Sequence, residues 1–467
     1  MIKIALPAGD IRSAVADFLD SRGLPVEGYG QGSRSYRLAA QDASTTVRVF
    51  REKDIPIQVA LGNYDLGICD IAWVKEMQVR FPSQPVIPLS DLGFGGGMLL
   101  AAAAAFCGGL PMIASLPVVR IASEFPNIAE AFVMATRFTA YRVQSVWGSA
   151  EVYPPEDADL VVLLAGSEEA VSESGLAPLT PLLATSAWLI GNEESLRKKE
   201  LAPVLGLLGS GGASIAANGL HFPPPVVAAE KPLVKRRDER KMIRLAVPDG
   251  HQQQHVVEAL DAAGLKLDGY DKANCVRRPV SPLPRLEVKV VRPHDMPQLV
   301  ALGQFDLGVT GRDCLLEHLH RFPSSPVQEL CDLGRGAYNL SAVVSEDLPA
   351  DDIETALEHW RAEGKRAIRI ASEFMGTADY YARSRHFWRY QVIPIAGASE
   401  GFVPEDAELL IEGTETGKTL RENRLKPIDL LYRSTTCVIG HRQPALEGAR
   451  RHVFDDVLGR LRTGAAG

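Results

Sequence analysis

No two of the six cysteines, Cys69, Cys107, Cys275, Cys314, Cys331 and Cys437, stand close enough for a zinc knuckle or a thioredoxin-like pair. We read them as reduced, mostly buried thiols of a cytoplasmic protein. Positive charge is also short. Fifty Lys and Arg face 58 Asp and Glu, a formal net charge of -8, so no global field exists to hold a nucleic acid. A small anionic substrate therefore needs a local site. The opening Met1-Ile2-Lys3-Ile4-Ala5-Leu6-Pro7 lacks the basic lead, apolar run and small-residue cleavage site of a signal peptide, and export is not expected. A clean membrane span is missing too. Leu92 to Val119 carries no charged residue, but Gly93, Gly95 to Gly97, Gly108, Gly109, Pro111 and Pro117 interrupt it. A buried strand with glycine-rich flanks suits that stretch better.

What the 467 residues do contain is a repeat. Met1 to Gly9 recurs as Met242 to Gly250, Arg51-x-x-Asp54-Ile55-Pro56 as Arg292-x-x-Asp295-Met296-Pro297, and Ala60 to Gly67 as Ala301 to Gly308, all 241 positions on. Arg120 to Phe125 recurs as Arg369 to Phe374 at an offset of 249, so the second copy carries an eight-residue insertion. A period this long means two tandem domains of one fold. We place the units at residues 1–218 and 242–467, joined by a solvated linker at 219–241 that contains Pro223-Pro224-Pro225 and the charged run Lys235 to Lys241.

Short apolar runs, such as Ile2 to Leu6, Leu66 to Ile68, Met98 to Phe106 and Leu160 to Leu164, alternate with helical stretches such as Ile11 to Arg22 and Ile55 to Leu61. That alternation predicts an α/β fold with mostly parallel sheets, two lobes per unit, and a site in a cleft beyond the strand ends.

The most telling segment runs from Leu409 to Asn423. An apolar strand bearing Glu412 and Glu415 opens into Thr416-Gly417-Lys418-Thr419 and then a helix, which gathers free backbone N–H groups, hydroxyls and a lysine at one point. Such a turn can seat a phosphate, with the two acids accepting from ribose hydroxyls. It can equally be a tight turn in which Gly417 supplies a positive φ and Thr416 caps the helix. Walker spacing is absent, since Glu412 stands where the first glycine belongs. In the first copy the turn reads Ser167-Glu168-Glu169-Ala170, and two carboxylates there would repel a phosphate by roughly 4 kcal/mol at 4 Å and intermediate dielectric.

On these residues the chain resembles the ATP phosphoribosyltransferase family, which opens histidine biosynthesis. The segment Gly397 to Leu425 looks like that family's phosphoribosyl-diphosphate loop, and the Asp-Ile-Pro, Asp-Leu-Gly-Val-Thr310-Gly311 and Asp-Leu-Gly-Phe94-Gly95-Gly96 elements are similar to the family's. The resemblance implies tandem two-lobed units like periplasmic binding proteins of type II. It further implies Mg²⁺-dependent transfer of 5-phosphoribosyl from its diphosphate to N1 of ATP. Thr416, Gly417, Lys418 and Thr419 would take the phosphate, Glu412 and Glu415 the ribose. Arg292, with Arg278 behind it, would face diphosphate.

Departures are visible as well. The family's Pro-Lys-Gly-Arg is here Pro7-Ala8-Gly9-Asp10 and Pro248-Asp249-Gly250-His251, so both copies lack two cations. We therefore expect an intramolecular pseudo-dimer in which the second copy supplies the phosphate loop and the first supports it, through Arg34 or Arg37. The competing reading is a catalytically silent small-molecule-binding or regulatory paralogue. A metal hydrolase built on His251, His255, His318 and His320 finds no acidic helper in a zincin arrangement, and these read as solvated or capping histidines. Gln443 to Gly467 suffices for one closing helix. No nucleic acid or membrane partner is expected. A homo-oligomer or a regulatory subunit stays open.

Overall fold

The structure, a computed structural model, describes residues 2–30, 36–39, 45–209, 219–229, 242–271, 275–397, 399–415 and 417–466. Each unit folds into two α/β lobes. Lobe 1 of the first unit orders its strands Arg37–Ala39, Thr45–Arg51, Ile2–Ala8, Leu66–Asp70, Ala187–Asn192, Val86–Asp91. Its lobe 2 orders Leu176–Thr185, Gly97–Ala104, Leu160–Ala165, Val119–Ser123, Tyr141–Ser145. The second unit repeats both five-stranded cores, as Leu286–Val291, Ile243–Pro248, Leu307–Gly311, Thr436–His441, Val327–Asp332 and as Tyr390–Pro394, Ile368–Ser372, Leu409–Thr414, Tyr338–Ser345, Leu425–Ser434.

Within each core, one strand runs against the other four. Ala187–Asn192 is antiparallel to both neighbours in lobe 1, and Gly97–Ala104 is so in lobe 2. The expected mostly parallel sheets are thus present, and their apolar runs are buried on both faces because helices cover both sides. The uncharged stretch after Leu92 supplies the interior strand Gly97–Ala104, second in its sheet, not a membrane helix. Among the described residues no helix is long and apolar enough to cross a membrane. The expected closing helix spans Gly448–Ala466.

The eight-residue insertion lies between Ser345 and Ile368, where the second unit builds the helix Ile353–Ala362 with Trp360 in its core. The first unit has only Leu110–Ala114 there. Residues 219–229, expected as the start of a solvated linker, lie instead as an extended strap against lobe 2 of the first unit. His221 N–H donates to Leu182 O (2.8 Å), Val226 N–H to Thr136 O (2.9 Å) and Ala229 N–H to Pro111 O (2.8 Å). Leu220, Phe222 and Val226 pack on the core beside the short helix, which is the apolar burial that overrides the proline-rich composition. The basic run Lys235 to Lys241 lies outside the described residues.

The two units form an intramolecular pseudo-dimer, lobe 1 of each against lobe 2 of the other. Phe50 and Tyr64 share a core with Phe402 and Val403, and Met296 and Phe305 share one with Val152 and Tyr153. Equivalent contacts appear on both sides: Asp54 accepts from Ala396 N–H at 2.8 Å, Asp295 from Trp147 N–H at 3.1 Å. Polar partners differ. On one side a fully enclosed Asp157 receives Lys289 Nζ (2.7 Å) and both Arg244 Nη atoms (2.8 and 2.9 Å). On the other, Tyr64 donates to Asp406 at 2.6 Å, where the repeat has Phe305.

Candidate active site

A cavity of about 850 Å³ opens where the units meet, and both line it. Its walls carry eight carboxylates, Asp10, Glu52, Glu124, Asp249, Asp313, Glu373, Glu412 and Glu415, against Arg51, Lys53 and Arg292. An anion therefore depends on the few cations and on backbone N–H groups.

Glu412 sits in the C-terminal half of the strand Leu409–Thr414 of lobe 2 in the second unit. Ser399 Oγ donates to its carboxylate, as does the N–H of Gly413 at 3.0 Å. Burial pushes its pKa up to about 8, and the like charges of Glu373 and Glu400 add to the rise. The first unit has Leu163 and Ala150 where these two groups stand, so it has neither the acid nor the hydroxyl.

The turn that follows is equally asymmetric. Gly417 adopts φ 66° as the N-cap of the helix Lys418–Glu422, where it has no side chain to offer as a cap. A side chain at Gly417 would be strained there, and its Cβ would stand 3.1 Å from Arg421 Nη1. Lys418 is exposed and lies 3.7 Å from Glu422. Thr419 O accepts from Asn423 Nδ2 at 2.9 Å, which closes the short helix. Thr416 lies outside the described residues. In the first unit, Ser167 Oγ accepts from Ala170 N–H at 3.3 Å and caps the helix Glu168–Glu173, whose first turn holds Glu168 and Glu169.

The arginines are distributed otherwise than the repeat alone implies. Arg292 reaches the first unit: a Cβ on Gly148 would stand 2.9 Å from its Nε, and its Nη1 pairs with Asp249 at 3.2 Å. Arg51, the same position in the first unit, lies on the second, where a Cβ on Gly397 would stand 3.3 Å from its Nε. Pairing lobe 1 of one unit with lobe 2 of the other exchanges the two arginines. The guanidinium at Gly397, just before Ser399 in the chain, is thus that of Arg51. Arg278 does not line the cavity. Its Nη2 donates to Val152 O, Pro154 O (2.7 Å) and Glu156 (3.0 Å), which makes it an interface residue. Arg34 lies outside the described residues.

On the first unit's side the cavity is filled. Trp147 stacks on His294 at 4.4 Å and lies under Lys53 Nζ at 4.4 Å, where the second unit has Ala396. Glu415 stands 3.6 Å from His251 Nδ1, with half of its side chain exposed. His318 bonds to Ser325 (2.7 Å) and His320 to Thr377 (3.1 Å), both on the helix Arg312–Arg321 and off the cavity.

The missed residues were Arg51, Ser399 and Trp147. Each had a readable partner at offset 241 or 249, but only the crossed packing of the units gives those differences a place in one site.

The sequence model of the family described as ATP phosphoribosyltransferase matches residues 51–210 and 292–463. The ATP phosphoribosyltransferase of a Picosynechococcus species is 31% identical over 222 residues, 47% of this chain and 98% of that protein. That of Rubrobacter xylanophilus is 33% identical over 201 residues, 43% of this chain and 87% of that protein. A relative of this kind is matched over most of its length by one half of this chain. Among solved structures, the ATP phosphoribosyl transferase (HisG:HisZ) complex from Thermotoga maritima is 21% identical, covers 48% of this chain and 99% of its own, and has a TM-score of 0.38. The periplasmic aliphatic sulphonate binding protein SsuA from Escherichia coli is 12% identical with a TM-score of 0.29, over 44% of this chain and 67% of that one.

Proposed function

Since this chain belongs to the ATP phosphoribosyltransferase family, matched in both of its units, we propose that it transfers 5-phosphoribosyl from phosphoribosyl diphosphate to N1 of ATP, at one site per chain. The N1–C1 bond forms, the C1–O bond to diphosphate breaks, and the electron pair leaves on the diphosphate oxygen. The observation that carries this reading is the one-sided cavity: among the described residues, the Ser399–Glu412 pair and the positive-φ Gly417 turn occur in the second unit and not at the equivalent positions of the first.

The 5-phosphate sits on the N–H groups that open the helix Lys418–Glu422, with the Lys418 and Thr419 side chains beside it. Glu412 accepts from the ribose hydroxyls and, once it has lost the proton that its raised pKa keeps on it in the empty site, favours the cationic character that develops at C1. Ser399 fixes its orientation. Arg51, from the first unit, lies at Gly397 and meets the departing diphosphate. The first unit is thereby needed although its own turn binds no phosphate. Holding both reactants in this cavity supplies the proximity part of the rate.

Mg²⁺ belongs to this reading as the companion of the diphosphate, and Glu373 and Glu400, whose like charge raises the pKa of Glu412, would offer it oxygen donors. When bound, the ion neutralises the diphosphate.

A second reading, a silent small-molecule-binding paralogue, is favoured by Asp249, which occupies both Arg277 and Arg292. One assay separates the two. With ATP, phosphoribosyl diphosphate and Mg²⁺, the enzyme releases diphosphate in step with a new nucleotide absorbance. Sugar-donor binding without diphosphate release supports the silent paralogue.

A further inference from the structure

We propose that His251, His255 and Glu415 form a site for a divalent transition-metal ion of the zinc class, which clips together the two lobes of the second unit at the rim of the cavity. One ligand atom from each of the three residues lies within 4.8 Å of the other two. They come from both lobes. His251 sits in the turn Gly250–Gln252 after the first strand of lobe 1, and His255 four residues on, in the helix Gln253–Ala262, so both rings project from one helical face. Glu415 follows the strand Leu409–Thr414 of lobe 2.

Two imidazoles and a carboxylate, with a position left to water, are the ligand set of an open zinc site, and imidazole nitrogen does not suit Mg²⁺. Ligand bonds of about 2.0–2.2 Å bring tetrahedral donors to about 3.5 Å from one another, so the triad must contract by about 1 Å. Its members can do so. The His251 side chain is 76% exposed and that of Glu415 45%, so both turn without disturbing a core. His255 is held more firmly: a Cβ on Gly336 (φ +59) would stand 2.7 Å from its Cδ2, and only glycine leaves that ring its place.

Two circumstances give the site a purpose. The cavity behind it is rich in carboxylates, and a dication at the rim offsets that charge. The triad is also built only once, because the equivalent positions of the first unit hold Asp10, Ala14 and Gly166. In sequence, no acid stands in a zincin arrangement to these histidines. The acid arrives from 160 residues further along the chain, across the cleft.

The test needs neither ATP nor sugar donor, so it stands or falls apart from the proposed transfer reaction. The full chain, stripped of metal, is titrated with Co²⁺ and followed by visible absorbance, then with Zn²⁺ in competition. One Co²⁺ per chain is expected, displaced by Zn²⁺ and not by excess Mg²⁺. H251A, H255A and E415Q each weaken binding by about tenfold or more. H452A, an exposed histidine of the closing helix, leaves it unchanged. Circular dichroism verifies that each variant is folded. No uptake by the parent chain, displacement by Mg²⁺ as readily as by Zn²⁺, or variants that bind as tightly as the parent would overturn the site.

Discussion

Replacing Glu412 by Gln trades binding for stability, and pH separates the two effects. The carboxyl is enclosed in the cavity wall, takes the Ser399 hydroxyl and the Gly413 N–H, and is pushed from 4.5 up to about 8. A carboxyl whose pKa rises on folding keeps a proton that the unfolded chain has lost, so stability falls as pH climbs from about 4.5 to about 8. The slope is about 1.4 kcal/mol per pH unit, which sets a ceiling of about 5 kcal/mol across the window. Glu373 and Glu400 share the burden, and water reaches the open cavity, so about 2 kcal/mol is the expected part. Gln is neutral, of nearly the same shape, and can still accept from Ser399. E412Q should therefore equal the parent in thermal unfolding near pH 5 and exceed it by about 2 kcal/mol near pH 9. Near pH 9, where the carboxyl is ionised, the same variant should bind phosphoribosyl diphosphate at least tenfold more weakly, since hydrogen bonds to a charged acceptor carry about 1.5–3 kcal/mol. A variant less stable than the parent at pH 9, or differing from it equally at both pH values, refutes the reasoning.

D157N leaves Lys289 and Arg244 enclosed without their counter-charge and should cost about 3–5 kcal/mol in urea denaturation at neutral pH. The Asp157 carboxyl, held down at about 2 chiefly by Lys289 and Arg244 against its burial, stabilises above the unfolded value of 3.8 and loses that contribution as pH falls through about 2. The gap between parent and variant should accordingly narrow under strong acid. R51A should lower kcat/KM by on the order of a hundredfold, and R292A by much less, because the first faces the intact turn and the second a site filled by Trp147. Equal losses from the two arginine variants would contradict the crossed arrangement.

Much of this was legible in the sequence because the repeat keeps register. Two offsets, 241 and 249, placed both units and the insertion that became the helix Ile353–Ala362. Apolar runs gave the strands, and Gly417 gave the turn with its positive φ. What stayed hidden depends on how the units pair. Arg51 and Arg292 are equivalent in the repeat, and no local pattern tells which unit's turn each one faces. Arg278 is an arginine like any other until Pro154 O and Glu156 are seen around it. The Pro223-Pro224-Pro225 stretch reads as linker by composition, yet Phe222 and Val226 fill space that a shorter helix leaves open. Glu415 meets His251 only because the cleft between lobes brings residues 164 positions apart together.

The central claim is that one chain offers one seat for the sugar phosphate, in its second half. Calorimetric titration with phosphoribosyl diphosphate and Mg²⁺ measures this most directly, on the parent and on T419A and S167A. The account predicts one molecule bound per chain, loss of binding in T419A, and parental binding in S167A. Two molecules per chain, or equal loss in both variants, would contradict it.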